Sequence, residues 1–160
     1  MHCFFKICLL LTPFLVFSSS FISSLEPVDQ WAIEEVIKGY TDSWNQQGGK
    51  GFANGFTEDA DFVNIFGMHF SGKTEIEKRH IQIVQTFLKD SLLEIQNLQL
   101  REVQPGLVIA LVRWKISNYR SPRSDMSKPG EIREGIFTHV FIHSDKKWEI
   151  TASQNTLVPN

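Results

Sequence analysis

Among the side chains of types that move protons, His80, His139 and Tyr40 are the candidates for catalysis. A neutral imidazole can take up a proton near neutral pH, so His80 or His139 could act as a general base. A tyrosine hydroxyl, such as that of Tyr40, can donate a hydrogen bond. His80 also has a plainer reading. It lies in the helical stripe Ile76, His80, Ile83, Val84 and Phe87, where a backbone carbonyl could satisfy it. Arg113 interrupts the apolar odd-numbered positions Leu107, Ile109 and Leu111. An arginine there needs a partner, either a carboxylate of the protein or an acidic ligand held by two hydrogen bonds. Asn64, between Phe62 and Phe66, could be a satisfied core amide or a polar group on a pocket wall. Tyr40 and Trp44 have apolar bodies and polar tips, which fit a core or the edge of a cavity.

Other chemistries find little support. His139 and His143 are four residues apart, but on a strand that is ~13 Å, too far to share an ion. No metal site is expected. No dinucleotide fingerprint and no redox thiol pair is present, so no cofactor is expected either. Gly67 to Thr74 matches the phosphate-loop pattern G-x-x-x-x-G-K-T. Met68 to Phe70 reads as a strand, however. Repeated strand–helix crossovers, which a phosphate-loop fold needs, are missing.

The first residues read as a leader. Lys6 is the only formal charge before Glu26, Ile7 to Phe17 is apolar, and small serines follow. This is the pattern of a secretory signal peptide over residues 1–24, cleaved after Ser20 or Ser24. The apolar run is shorter than the ~20 residues of a membrane span. The expected product is an exported protein, periplasmic or secreted, with residues 25–160 as one domain and no membrane segment after cleavage. Cys3 and Cys8 both fall in the leader, so thiol catalysis and thiolate ligation are excluded from the domain. Without Lys6, 15 basic residues stand against 18 acidic ones, and no basic stripe exists. Nucleic acid is therefore not an expected partner.

The elements that must position these residues can be read from periodicity. Val28 to Gln47 predicts a helix with Ile33, Ile37, Tyr40 and Trp44 on one face, ended by Gly48 and Gly49. Lys50 to Phe56 predicts a short helical turn. Asp61 to Phe66 predicts a strand, with Met68 to Phe70 pairing back on it. A second long helix is expected from Thr74, capped by a Thr74–Glu77 box. Four strands then follow: Leu92–Val103, Leu107–Tyr119, Gly135–His143 and Trp148–Val158. The first half of Leu107–Tyr119 is apolar at every position, which predicts burial on both sides. Ser121 to Gly130 reads as a polar loop. The sum is an α+β roll, with a strongly curved mixed sheet backed by two long helices and one short one.

This pattern resembles the nuclear-transport-factor-like superfamily, the cystatin-like roll of the SnoaL-like proteins. The resemblance runs from about Gln30 to Leu157. It is carried by Ala32 to Tyr40 (AIEEVIKGY), by Phe70 to Ile76 (FSGKTEI) with His80 beyond, and by Lys147 to Thr156 (KWEITASQNT). That ending is similar to the SgcJ/EcaC branch. The resemblance implies a cone-shaped cavity and a homodimer made through the sheet face. It also implies several kinds of activity: steroid isomerases, polyketide cyclases and dehydratases share the fold with a kinase association domain that is non-catalytic. The position at which isomerases carry a carboxylate base aligns with Asn64, an amide that takes up no proton at neutral pH. Arg113 and His139 fall where the kinase association domain presents arginines to its pocket, which implies a pocket for an anionic ligand. The expected ligand-binding set is Tyr40, Trp44, Asn64, His80, Arg113, His139 and Asn155. Three functions stay open: a small-molecule-binding domain, a cofactor-independent isomerase, cyclase or dehydratase, and a non-catalytic dimerisation or interaction module.

Overall fold

The computed structural model describes residues 25–120 and 130–159. The expected signal peptide, both cysteines and most of the loop expected at Ser121–Gly130 lie outside the described residues. Eight elements follow in order: α1 (Pro27–Gln47), β1 (Phe56–Val63), β2 (His69–Ser71), α2 (Lys73–Gln85), β3 (Leu92–Gln104), β4 (Leu107–Tyr119), β5 (Glu131–Ser144) and β6 (Lys147–Leu157). One six-stranded sheet carries them in the order β2-β1-β6-β5-β4-β3. All neighbouring strands are antiparallel except β1 and β6, which run parallel, so the sheet is mixed. This is the expected cystatin-like α+β roll.

Period-two burial explains which face is covered. On β4 the even residues Val108, Ala110, Val112, Trp114 and Ile116 are buried. On β5 the odd residues Gly135, Phe137, His139 and Phe141 are buried. The two sets face each other's rows because Ala110 pairs with His139 and Val112 with Phe137. On β6 an irregularity at Thr151 shifts the register between Val140 and Phe141. Trp148 and Ile150 point inward before it, and Ser153 after it. A bulge of this kind reverses side-chain parity.

Both helices pack on this inner face. α1 buries Ile33, Ile37, Tyr40 and Trp44 and is fixed at both ends by side-chain bonds. Trp148 Nε1 donates to Asp29 Oδ1 at 2.8 Å near its start. Near its end, Asn45 exchanges two 2.9 Å bonds with the backbone of Leu93 on the edge strand β3.

Several expectations are corrected. Residues 50–55 form a chain of turns, not a third helix, closed by three-residue bonds such as Phe56 N to Ala53 O at 2.9 Å. Glu77 is the reason. Instead of closing a box with Thr74, its carboxylate accepts from Gly51 N at 2.6 Å and Ala53 N at 2.8 Å. α2 then begins on Gly72 with no side-chain cap. β1 starts five residues earlier than expected and ends at Val63, so Asn64 and Phe66 lie in a turn. β4 is not buried on both sides: Leu111 is 40% exposed on the uncovered face.

Candidate functional site

A cavity of about 70 Å³ opens between α2, the end of α1 and the inner face of the sheet. Its walls are mostly apolar, with Phe62, Ile83, Phe87, Leu93, Trp114 and Phe137 among them. Hydrophobic walls with a few fixed polar groups are the usual make-up of a ligand pocket. Four of the expected residues line it: Trp44, Asn64, His80 and Asn155.

His80 is set by α2 and by ring packing. It is buried, stacks on Phe52 at 3.6 Å with a 6° interplanar angle, and meets Phe62 edge-on at 4.9 Å. Its Nδ1 lies 2.7 Å from the Ile76 carbonyl. A carbonyl only accepts, so Nδ1 carries the proton and Nε2 the lone pair. Burial lowers the His80 pKa to about 4, with the neighbouring Arg79 charge adding to the fall and the Ile76 bond opposing it. The ring is neutral at pH 7. Gly49 allows the approach of the turn to this residue: with φ +83°, a Cβ there would stand 2.8 Å from the His80 carbonyl oxygen.

Asn155 reaches the cavity because of the shift at Thr151. Trp114 Nε1 donates to its Oδ1 at 3.0 Å, which leaves the amide NH₂ as its donor. Trp114 itself lies over β5 at Gly135, where a Cβ would come within 2.1 Å of the indole. Trp44 gives the cavity its ring, while its Nε1 donates to Ser91 Oγ at 3.0 Å. The Asn64 amide holds the turn that follows β1, its Oδ1 accepting from Phe66 N and Met68 N at 2.9 Å each.

The other expected residues stand apart from this cavity. Arg113 is on the outer face, where it pairs with Glu134 at 2.9 Å. The odd parity of β4 puts it there, so Arg113 and His139 do not share a cavity. Tyr40 and His139 lie deeper, behind Phe137. His139 is 1% exposed, and its ring packs against Tyr40, Phe56, Phe137 and Phe141 at 5.2–6.4 Å. Burial alone lowers its pKa to about 3, and burial also raises that of Tyr40.

The residue missed by sequence reasoning is Arg79, a half-buried cation on the cavity wall. Its guanidinium lies 5.8 Å from the Phe70 ring centre and donates to Gln82 Oε1 at 3.0 Å. Its position directly before His80 was the available signal. Among the described residues no three His, Cys, Asp or Glu side chains converge as a metal site would need. Nor is any described helix long and apolar enough to cross a membrane.

The fold defines the class: this is a cystatin-like roll. An uncharacterised cystatin-like protein from Caulobacter vibrioides superposes with a TM-score of 0.73 at 26% identity, covering 82% of this chain and 91% of that one. A cystatin-like domain of unknown function from Nostoc punctiforme gives 0.72 at 28% identity, covering 85% and 81%. A scytalone dehydratase candidate from Novosphingobium aromaticivorans gives 0.69 at 16%, covering 82% and 85%, a likeness that shows the fold alone. No family model and no curated protein matches the sequence.

Proposed function

We propose that this chain is a small-molecule-binding domain whose cavity takes a small, flat, partly apolar molecule, with any anionic end of that molecule at Arg79. The observation that carries this reading is the cavity itself. Aromatic and aliphatic walls meet a few polar groups with hydrogen-bonding capacity left for a ligand: the His80 Nε2, the Asn155 NH₂ and the Arg79 N–H groups not bonded to Gln82. The reading takes residues 1–24 as a leader removed on export. It also takes two copies as meeting through the outer sheet face, where the exposed Leu111 stands beside half-buried Ile109, Val140 and Ile142.

Isothermal titration with toluene and 4-methylbenzoate tests it. Both should bind. Arg79→Gln should weaken 4-methylbenzoate about fivefold, the scale of one exposed charged contact, and leave toluene unchanged. Failure of both probes to bind sinks the reading.

The second reading is a cofactor-independent isomerase, cyclase or dehydratase. It is favoured by one observation, that the Ile76 bond leaves the lone pair of His80 on Nε2 in the cavity wall. The similarity of fold to a scytalone dehydratase candidate is in keeping with it. In a screen of hydroxylated and carbonyl substrates, turnover lost in a folded His80→Ala variant would support a base at this position. Turnover kept in that variant would reject it.

A further inference from the structure

Five buried side-chain polar atoms have no hydrogen-bond partner among the described residues: Tyr40 Oη, Thr57 Oγ1, His139 Nδ1 and Nε2, and Ser153 Oγ. Unpartnered buried polar atoms are costly and uncommon, and each calls for an explanation. Four of the five belong to one neighbourhood. His139 and Ser153 are paired across β5 and β6, so their side chains stand side by side on the inner face. The Tyr40 ring meets the His139 ring at 5.8 Å. Phe137 separates this group from the cavity. It lines the cavity on one side, and on the other it stacks on His139 at 5.2 Å and meets Tyr40 at 6.0 Å.

We infer that Phe137 is a partition that yields to a ligand, and that Tyr40, His139 and Ser153 behind it form an inner subsite for a neutral carbonyl or hydroxyl group. The inference rests on the small-molecule reading above: the apolar body fills the cavity and the neutral polar end passes inward. The donors and acceptors decide the class. A neutral imidazole offers one of each, and both hydroxyls can donate or accept. No formal charge lies in ring contact with His139, since its neighbours are Tyr40, Phe56, Phe137 and Phe141. A carboxylate brought here would be buried without a counter-charge, which is strongly unfavourable. The ligand so defined has a neutral oxygen at its inner end, while Arg79 serves any anionic group at the other.

Isothermal titration of p-cresol against toluene reads this subsite, because the two differ by one neutral hydroxyl. The wild-type protein should prefer p-cresol. The double variant Tyr40→Phe, Ser153→Ala should lower that preference about tenfold, the upper scale of one net hydrogen bond, and leave toluene affinity unchanged. Both substitutions remove unpartnered polar atoms and add no volume, so the core is kept. Phe137→Ala should raise p-cresol affinity and the preference together. Nuclear Overhauser contacts from bound p-cresol to the Tyr40 ring should accompany binding. A p-cresol preference unchanged in the double variant, or binding without contacts to Tyr40, overturns the inner subsite and leaves the outer cavity reading intact. Absence of binding by both toluene and p-cresol overturns the two together.

Discussion

His139 meets four aromatic rings and no carboxylate, and its pKa falls to about 3 because burial alone opposes the charge. His80 falls to about 4 by the same cause, reinforced by Arg79. In the unfolded chain both would titrate near the ordinary value of ~6.5. Between those values the unfolded state binds protons that the folded state does not. Stability is therefore full above pH ~6.5 and declines as the pH falls, by ~1.4 kcal/mol per pH unit for each histidine. The decline from His80 ends near pH 4 and that from His139 near pH 3. His139→Phe should make urea unfolding less pH-dependent between pH 6.5 and 4 by about that amount per unit. An unaltered slope would mean that His139 is solvated in the native protein. At the same scale, the sequence marked Tyr40 as a polar-tipped member of an apolar helical face and His139 as a candidate base. Their placement behind Phe137 was not legible there, because ring packing between α1 and β5 has no signature in either segment alone.

At the scale of elements, the sequence pattern located the helices and strands through their periods of 3.6 and two. On β4 it placed Arg113 among the odd residues but expected both faces to be buried, because the first half of the strand is apolar at every position. Which of those faces the helices cover is settled by topology, so Arg113 turned out to face away from the cavity. Asn155 needed still more. Its inward direction follows from the irregularity at Thr151, a one-residue shift that alternation along β6 cannot show. The turn at 50–55 looked helical because Phe52 and Phe56 are four apart, yet Glu77 from a later helix claims its amides. Two glycines make opposite predictions. Gly135→Ala would drive a Cβ into Trp114, displace the indole from Asn155 and cost roughly 1–3 kcal/mol. Gly39, exposed on α1 with no atom within 4 Å of an added Cβ, should stabilise by ~0.5–1 kcal/mol as Gly39→Ala. Thermal melts of the two variants check both signs. Equal melting temperatures would contradict the close packing of Trp114 on β5.

At the scale of the molecule, β6 lies between the β1–β2 hairpin and the three-stranded meander of β3, β4 and β5. A two-stranded hairpin is marginal on its own. A chain ended at Ser144 should therefore lose the cooperative unfolding transition of the whole domain, with tryptophan fluorescence shifted toward that of exposed indoles. A sharp, native-like transition in that truncated chain would show that the meander and α1 suffice without β6.

The parallel seam between β1 and β6 also sets a schedule. On the ribosome, α1, β1 and α2 emerge long before residues 147–157, and until then the inner aromatic rings have no complete sheet to cover them. The β1–β6 pairing joins the beginning of the domain to its end, so the six-stranded sheet can be completed only after β6 has emerged.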